Sequence, residues 1–299
     1  RSRSANRLPR TGHLRCMPIA LSSCCLAFVA VCILSSGALH RPTDLRLPAA
    51  LGWKGRLGGL PRMSKDNKKS HKKWLPLEAN PDVMTEYIMK LGGPPVQCVD
   101  VLTTEDWALD MVPKPVYGLI LLFPIKDTTE KHREEEAARV KANGQTVSPK
   151  VYFTKQTVGN ACGTVGILHT VLNIRDKQPL GAEGFFNKFL TKTMPLSPDQ
   201  RAEALEEDDE IEEAHTEVEQ QGQSRVPTRD AQVETHFAAL IEMDGCLYEL
   251  DGRKEFPINH GPSSPGTFLK DAVRVAGQFM ARDPGELRFS MIAVCKAVE

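Results

Sequence analysis

Regular hydrophobic spacing begins near Trp74 and continues almost to the end of the chain, with helical and strand-like stretches mixed. Apolar residues three and four apart predict amphipathic helices, whereas short apolar or alternating runs between turn residues predict strands. The predicted helices run from Pro81 to about Gly92, from Thr103 or Thr104 to Leu109, and over 128–143, 161–173, 185–190, 198–208 and 267–281. The predicted strands cover 116–125, 151–155, 236–242, 247–250 and 287–296.

Two of these elements carry clear local signals. Asn80 followed by Pro81 is typical of a helix N-cap and the first helical position. Val116 to Ile125 reads VYGLILLFPI, a nearly unbroken apolar run that predicts a strand buried on both faces. Because helices and strands are mixed without strict βαβ alternation, we predict an α+β fold in which helices cover a sheet.

The stretch from Glu206 to Thr235 interrupts this regularity. It is first acidic and then rich in Gln, Gly and Ser, and we find no apolar periodicity in it. A loop of that length inside a compact domain is usually functional or disordered. We therefore predict a long loop here, between the helix that ends near Asp208 and the strand that begins at His236.

Residues 1–62 differ from the rest and are not expected to belong to the fold. Pro18 to Leu39 is an apolar, small-residue run preceded by arginines, the arrangement of a signal sequence or signal anchor, and the basic sequence after it resembles an organelle transit segment. The chain begins with Arg1, however, and Met63 opens a hydrophilic stretch that would suit a cytosolic start. A genuine leader and upstream sequence absent from the working protein both stay open. Residues 63–73 are expected to form a basic, flexible lead-in.

Net charge divides the chain at about the same place. The 299 residues carry 38 basic and 38 acidic side chains, but residues 1–76 hold 15 Lys/Arg and 2 Asp/Glu, a net charge of +13. Residues 77–299 hold the remaining 23 and 36, a net charge of −13. With 41% apolar residues the chain can build a substantial core, which excludes a disordered or fibrous protein.

Cysteine usage indicates a reducing environment. Cys98, Cys162, Cys246 and Cys295 lie singly in the regular part, and the sequence contains no CxxC pair. Scattered single cysteines indicate reduced thiols and no structural zinc. We also expect no metal site and no cofactor. We expect the folded part in the cytoplasm, with an organelle or secretory route if 1–62 is a genuine leader.

Cys162 is the best-placed candidate nucleophile. The segment from Lys155 to Thr164 runs from a predicted strand through a Gly-containing turn into a helix whose first turn contains this cysteine. Free backbone N–H groups and the positive end of the helix dipole stabilise a thiolate there. Gly163 leaves the sulfur unobstructed. A buried cysteine at such a junction can also be a small core residue, so position alone leaves both interpretations open.

His236 is the candidate base with a predicted partner. Asp244-Gly245 is a strong hairpin signal between two strand-like runs. If these two residues form the turn, Ala238 faces Asp251 and His236 faces Arg253, so that His236 and Asp251 are diagonal neighbours. A carboxylate beside an imidazole fixes its tautomer and stabilises the imidazolium formed when it accepts a thiol proton. An ordinary salt bridge at the end of the hairpin is the alternative.

The other histidines fit this role less well. His169 lies seven residues along the same helix, about 10 Å from Cys162 at 1.5 Å per residue, and is expected to be a packing or surface residue. His132 in a charged helix and His215 in the acidic stretch are expected to be solvated. His260, in a predicted loop, is either structural or peripheral to a site.

Gln156 ends the predicted strand six residues before Cys162. Its side-chain amide and the Cys162 backbone N–H could hold the oxyanion of a tetrahedral intermediate, and removing such a donor typically costs about 10²–10³ in rate. A glutamine in a turn is more often solvated, so spacing alone does not decide its role.

Together these residues resemble the ubiquitin C-terminal hydrolase family of cysteine peptidases, specifically its short single-domain members. The resemblance runs from about Trp74 to Val298. It is carried, in order, by WLPLEANP at 74–81, KQT at 155–157, NACGT at 160–164, HF at 236–237, LYELDGR at 247–253 and FPINHG at 256–261. Several long motifs in the right order are far more specific than a lone Cys/His pair.

The resemblance implies roles for the candidate residues: Cys162 as the nucleophile, His236 as general base and acid, Asp251 as the residue that orients His236, and Gln156 as the oxyanion donor. It also implies a papain-like αβα sandwich around a central, mainly antiparallel sheet, with a knotted backbone. The stretch 206–235 corresponds to the family's crossover loop over the active site. Such a loop would limit cleavage to small or unfolded groups attached to ubiquitin.

Ubiquitin is the partner that the resemblance implies, and the acidic residues 77–299 would steer its basic tail. The implied ubiquitin contacts are Pro76, Leu77, Glu78, Ala79, Asn80, Pro81, Glu219, Gln220, Gln221, Gly222, Gln223, Glu286, Leu287, Arg288 and Phe289. Two alternatives stay open: a non-catalytic protein that binds and stabilises ubiquitin, and a hydrolase that prefers NEDD8. We expect a monomer, with no nucleic-acid partner and no membrane contact by the folded domain, 74–298.

Overall fold

The computed structural model describes residues 72–223 and 233–298, within which helices surround one six-stranded sheet. The helices are α1 (Pro81–Lys90), α2 (Asp106–Met111), α3 (Asp127–Asn143), α4 (Cys162–Asn173), α5 (Phe185–Thr193), α6 (Pro198–Glu206), α7 (Asp209–Val218) and α8 (Phe268–Ala281). The strands are β1 (Val96–Asp100), β2 (Val116–Pro124), β3 (Thr235–Met243), β4 (Cys246–Leu250), β5 (Ile258–Pro262) and β6 (Ser290–Lys296).

The sheet has the strand order β1-β6-β2-β3-β4-β5, and every neighbouring pair is antiparallel. The apolar strand β2 lies between β6 and β3, and all its residues except Leu122 are buried. Alternate side chains of a strand point to opposite faces of a sheet. The prediction that this apolar run is covered on both faces is therefore confirmed.

Each face of the sheet has its own hydrophobic core. On one face, α1, α4, α5 and α7 pack against strand residues that include Ile120 and Ile292. On the other face, α2 and α8 pack against strand residues that include Leu119, Leu121 and Ala293. Helices on both faces of an antiparallel sheet confirm the expected α+β sandwich.

Helix α4 is buried along its whole length, from Cys162 to Asn173. It packs mainly on β3 and β2. A helix that is buried on every side lies in the interior, between the sheet and an outer layer. This position fixes its first residue, Cys162, relative to β3.

The strand predicted over 151–155 does not form, because this segment pairs with side chains of α4 instead of with another strand. The Tyr152 N–H donates to Asn173 Oδ1 at 2.7 Å, and the Asn173 amide donates to Tyr152 O at 2.8 Å. The Thr154 N–H donates to His169 Nε2 at 3.1 Å. These side chains satisfy backbone groups that a neighbouring strand would otherwise satisfy.

The long loop predicted over 206–235 is wrong in its first half, which forms α7. This helix buries residues spaced three and four apart, namely Ile211, Ala214 and Val218. The periodicity escaped the sequence analysis because acidic residues occupy most of the other positions of the helix. Residues 224–232 lie outside the described residues, so the loop stays a prediction there.

The two edge strands of the sheet, β1 and β5, are not predicted by the sequence pattern. The first contains Gln97 and Asp100, and the second contains Gly261 and Pro262. Edge strands tolerate polar residues, Gly and Pro because one side of their backbone is not needed for sheet pairing. They therefore lack the apolar runs by which strands are recognised. The last strand, β6, begins later than predicted, at Ser290.

Among residues 72–223 and 233–298, no helix has the length and apolar character needed to cross a membrane. The apolar run from Pro18 to Leu39 lies outside the described residues, as do the other leader residues and most of the basic lead-in. Both interpretations of 1–62 therefore stay predictions.

We expect Asn173→Ala to lower the free energy of unfolding by about 2–6 kcal/mol. The substitution leaves the buried N–H and C=O of Tyr152 without partners, and each such group costs about 1–3 kcal/mol. Urea unfolding followed by far-UV circular dichroism measures the change. The matched control is Asn187→Ala, because Asn187 makes one exposed bond to a backbone carbonyl and should change stability by less than about 0.5 kcal/mol. Equal losses in the two variants would contradict this account.

Candidate active site

Cys162 is the first residue of α4 and follows a constrained turn. Asn160 has a φ of 62°, in the left-handed region that few non-glycine residues adopt. Its side-chain amide donates to Trp74 O at 2.9 Å, which helps to hold that conformation. The N-cap residue Ala161 has no side-chain acceptor for the first N–H groups of the helix. The backbone N–H groups of Phe237 and Gly163 both lower the pKa of the Cys162 thiol.

The structure brings Cys162, His236 and Asp251 together in a buried row. His236 is the second residue of β3, and its side chain hydrogen-bonds to the Cys162 sulfur. Its Nε2 lies 2.6 Å from Asp251 Oδ1, which leaves Nδ1 for the sulfur. The three residues are 6%, 2% and 2% exposed, so water is nearly excluded. This is the geometry that a nucleophile, a base and an orienting carboxylate require.

The hairpin that carries His236 and Asp251 pairs as predicted near its turn but not at its open end. Ala239 faces Leu250, and β4 ends there. The pairs expected beyond that point do not form in the ladder: Ala238 with Asp251, and His236 with Arg253. Asp251 instead opens a turn, in which the Arg253 N–H donates to Asp251 Oδ1 at 2.8 Å. This turn, and not a diagonal pairing within the ladder, brings the carboxylate to His236.

The charges of the row change the acidity of the thiol. Burial by itself raises the pKa of Cys162, but the hydrogen bond and positive charge of His236 outweigh it and leave that pKa below its usual range. Burial by itself lowers the pKa of His236, but Asp251 and then Cys162 raise it to about 10. Between these two pKa values the pair exists as thiolate and imidazolium. The sulfur is therefore nucleophilic at a pH where an ordinary cysteine is a neutral thiol.

Asp251 lies close to a buried group of charges that the sequence analysis did not find. Lys254 Nζ bonds to Glu136 Oε2 at 2.5 Å and also contacts the carboxylate of Glu249. Burial by itself raises the pKa of Asp251, but the charge of His236, its hydrogen bond and then the charge of Lys254 leave it lowered. Asp251 therefore stays ionised inside the core. Glu136 comes from α3, and no local sequence signal connects that helix with this site.

Gln156 lies on the segment before α4, where its N–H donates to Gly252 O at 2.9 Å. Its side-chain Nε2 donates to Val158 O at 3.1 Å, and its Oε1 is buried without a hydrogen bond. A Cβ at position 252 would lie 2.9 Å from the Gln156 Cβ, so a glycine is required there. The contact joins Gln156 to the turn that begins at Asp251. The role of Gln156 as oxyanion donor stays a prediction.

The remaining histidines of the described residues have structural contacts. His169 is buried, as expected for a packing residue. His260 lies in β5, and not in a loop, where it bonds to a buried carboxylate. The prediction that His215 is solvated is wrong, because its side chain is fully buried in α7. In the described parts of the chain, no group of three or more His, Cys, Asp or Glu side chains is arranged to hold a metal ion.

Two of the three segments expected to contact ubiquitin lie side by side. Residues 78–81 line an open groove of about 510 Å³, together with Gln223. Asp82 and Asp100 also line it, which makes the groove acidic. A Cβ at position 222 would overlap the carboxylate of Glu78, so the two segments are in direct contact.

Other expected ubiquitin contacts have different surroundings. Glu219 is buried and lies 3.5 Å from His215 Nε2. Leu287 is 88% exposed, and Arg288 forms ion pairs with Glu234 and Glu286. The contact roles of these residues stay predictions.

We expect Cys162 to react with iodoacetamide at a lower pH than an ordinary cysteine, because its pKa is lowered. Asp251→Asn should move the midpoint of the pH profile upward, since loss of the carboxylate lowers the pKa of His236 and removes the cation that stabilises the thiolate. The alkylation rate of the Cys162 peptide, followed by mass spectrometry against pH, measures this. Asp244→Asn, at the other end of the hairpin, is the matched control and should leave the midpoint unchanged. An unshifted midpoint in Asp251→Asn would refute the coupling.

Sequence comparison finds close relatives over the part of the chain that contains this site. The sequence profile of ubiquitin carboxyl-terminal hydrolase, family 1, matches residues 74–281. A ubiquitin carboxyl-terminal hydrolase of Drosophila melanogaster is 45% identical over 225 residues, which cover 75% of this chain and 98% of that protein. Ubiquitin carboxyl-terminal hydrolase isozyme L1 of Homo sapiens is 45% identical over 223 residues, 74% of this chain and 98% of that protein.

Solved structures show the same fold. The UCH37 catalytic domain of Trichinella spiralis, bound to ubiquitin vinyl methyl ester, superposes with a TM-score of 0.58 at 22% identity. The match covers 75% of this chain and 96% of that domain. By its sequence relatives, this chain belongs to ubiquitin carboxyl-terminal hydrolase family 1, a family of cysteine peptidases.

Proposed function

We propose that this chain hydrolyses the bond between the C-terminal glycine of ubiquitin and a small or unfolded group, with Cys162 as the nucleophile. The observation that carries the proposal is the buried row of Cys162, His236 and Asp251 in a member of this family. The names of the relatives and the ubiquitin adduct bound to the Trichinella protein support ubiquitin as the substrate.

Acylation begins with attack of the Cys162 thiolate on the carbonyl carbon of the ubiquitin C-terminal glycine. The negative charge moves to the carbonyl oxygen, where the Cys162 N–H and the Gln156 side-chain amide would donate hydrogen bonds. As the intermediate collapses, His236 gives its proton to the leaving group. The products of this half are a thioester on Cys162 and the released amine or alcohol.

Deacylation repeats the chemistry with water. Neutral His236 accepts a proton from a water molecule, which attacks the thioester carbonyl. Collapse of this second intermediate releases ubiquitin with a free carboxylate and restores the thiolate and imidazolium pair. Asp251 keeps the ring of His236 in the same orientation through both halves, because it stays bonded to Nε2.

The acidic groove gives a physical reason for a basic substrate tail. Glu78, Asp82 and Asp100 lie along it, and residues 77–299 carry a net charge of −13. Opposite charges raise the rate at which the two proteins meet, and added salt screens this attraction and reduces the gain. This charge by itself does not separate ubiquitin from NEDD8. Competition between the two tails for one fluorogenic substrate decides between them.

A non-catalytic ubiquitin-binding protein is the alternative from another class. Such a protein has no need of an ionised thiol–imidazole pair held by a buried carboxylate, because burying charged groups costs free energy.

Location in a reducing compartment such as the cytoplasm also stays a prediction, for which the free thiols of the described residues give the physical reason. Sequencing the N-terminus of the mature protein tests whether 1–62 is retained.

We expect Cys162→Ser to reduce turnover of a fluorogenic ubiquitin C-terminal amide by at least about 10⁴-fold, because a serine at this site is not ionised. Binding of ubiquitin, measured by calorimetry, should persist, since the groove is untouched. Cys246→Ser, a part-buried thiol at the hairpin turn, is the matched control and should keep full turnover. Turnover that survives in Cys162→Ser, or an inactive wild-type chain with intact ubiquitin binding, would refute the proposal.

We expect Gly252→Ala to reduce kcat by about tenfold or more, because its Cβ displaces Gln156 and weakens oxyanion stabilisation. The pH profile of Cys162 alkylation should stay as in the wild type, since the thiolate pair is formed by other residues. Gly277→Ala, in α8, is the matched control, because a Cβ there meets no atom within 4 Å. It should leave kcat unchanged. A normal kcat in folded Gly252→Ala would contradict the role given to Gln156.

A further inference from the structure

His215 lies where three segments far apart in the sequence meet. From α7, its Nδ1 lies 2.8 Å from Thr164 Oγ1 on α4, and its Nε2 lies 2.8 Å from Leu75 O before α1. Its ring packs on Trp74, with the ring centroids 4.5 Å apart. The side chain is fully buried. Both ring nitrogens are therefore used in fixed contacts, and neither faces the catalytic row.

The hydrogen bonds define one protonation state of His215. Leu75 O can only accept, so Nε2 carries the proton, and the neutral ring then accepts the hydrogen bond of the Thr164 hydroxyl on Nδ1 at 2.8 Å, the shorter of the two contacts of that hydroxyl, since Tyr87 OH lies 3.3 Å away. Burial lowers the pKa of His215 to about 4, so the ring is neutral at physiological pH. The carboxylate of Glu219 lies 3.5 Å from Nε2, and the edge of Tyr87 is also close. Glutamine or alanine at this position could not reproduce both bonds.

Each of the three connected segments belongs to the proposed site. Thr164 is two residues after Cys162, and the backbone N–H of the residue between them, Gly163, helps to lower the pKa of the reactive thiol. Leu75 directly precedes residues 76–81, which line the acidic groove in part. Helix α7 leads into 219–223, the described start of the predicted crossover.

Apolar burial of Ile211, Ala214 and Val218 holds α7 on the core, and its other polar contacts lie at its beginning or near the surface. Tyr87 donates to Ile211 O at the beginning of the helix, at 3.3 Å. Lys72 and Lys90 form ion pairs with Glu212 and Glu217 on the surface. Surface ion pairs typically contribute about 0–1 kcal/mol. The bonds of His215 to Thr164 and Leu75 are thus a polar attachment made by a fully buried side chain in the second half of the helix.

We propose that His215 is a positioning residue that holds the crossover arm, defined as residues 209–223, against α4 and the segment before α1, and thereby limits the size of the leaving group. The inference rests on the proposed function and adds a residue that selects among ubiquitin conjugates. While both ring nitrogens of His215 keep their bonds to Thr164 and Leu75, the crossover arm stays close to the site. An arm released from Thr164 and Leu75 opens the passage to larger groups.

The test compares two substrates: ubiquitin with a small fluorogenic amide, and ubiquitin joined through its C-terminus to a folded protein. The measured quantity is the ratio of kcat/KM for the small substrate to that for the bulky one. We expect His215→Ala to lower this ratio about tenfold through a faster reaction of the bulky substrate, because the released arm no longer excludes it. An unchanged ratio in folded His215→Ala would overturn the proposal.

Conservative variants separate a positioning role from general damage. His215→Gln keeps an amide N–H that can reach Leu75 O, and we expect it to retain part of the ratio that His215→Ala loses. Thr164→Val removes the other bond with little change of shape. If His215 and Thr164 act through one bond, the double variant His215→Ala/Thr164→Val changes the ratio no more than His215→Ala does. Additive losses would overturn that linkage. These variants also supply the test if His215→Ala does not fold.

Leu269→Ala is the control for loss of stability. Leu269 is buried in α8 on the opposite face of the sheet, and its truncation should cost about 2–5 kcal/mol. We expect a normal substrate ratio from this variant, with thermal unfolding used to match its stability to that of His215→Ala. An equal loss of the ratio in Leu269→Ala would overturn the proposal, because general loosening would then explain the effect. A wild-type chain that cleaves neither substrate would instead refute the proposed function itself.

Discussion

The bond between Asp251 and His236 is the interaction on which the site depends. Burial alone would favour a neutral thiol and a neutral imidazole, because charged groups lose their hydration in a dry interior. The ionised carboxylate of Asp251 reverses this for His236, and the imidazolium then stabilises the sulfur anion of Cys162. Asp251 is itself kept ionised by the charges of His236 and Lys254. Alternating positive and negative groups, from Lys254 through Asp251 and His236 to Cys162, thus stabilise one another and keep a thiolate inside the protein.

Helix α4 organises the structure around these charged groups. It is buried on every side, yet it carries Thr164, His169 and Asn173, whose polar atoms must all find partners. Their partners are His215 on α7, the backbone around Tyr152, and the end of β4. Because each bond is buried, leaving any of them unmade is costly. One interior helix therefore sets the positions of the crossover arm, of residues 151–155 and of the hairpin end that carries Asp251.

The site combines elements with different physical tasks. The thiolate pair needs a dry and rigid environment, which the two cores on either face of the sheet provide. The groove beside it is open and acidic, which suits recognition of a basic tail at the surface. Gly222 and Glu78 are in contact where the crossover arm meets the groove. This contact joins the crossover arm to the groove that we propose for recognition of the substrate tail.

Local sequence determined much of this architecture by itself. The apolar run of β2, the cap at Asn80 and the Asp244-Gly245 turn each depend on near neighbours, so they were predictable. Cys162 was also recognisable, since the free N–H groups at a helix start are a local property.

The tertiary structure alone decided the rest. Edge strands β1 and β5 exist only because a sheet lies beside them, and His215 is buried only because α7 packs on α4 and Trp74. The Asp251 carboxylate reaches His236 through a turn beyond the ladder, and Glu136 approaches from a remote helix. Burial and charge compensation act between residues far apart in the chain, and spacing along a sequence does not contain those distances.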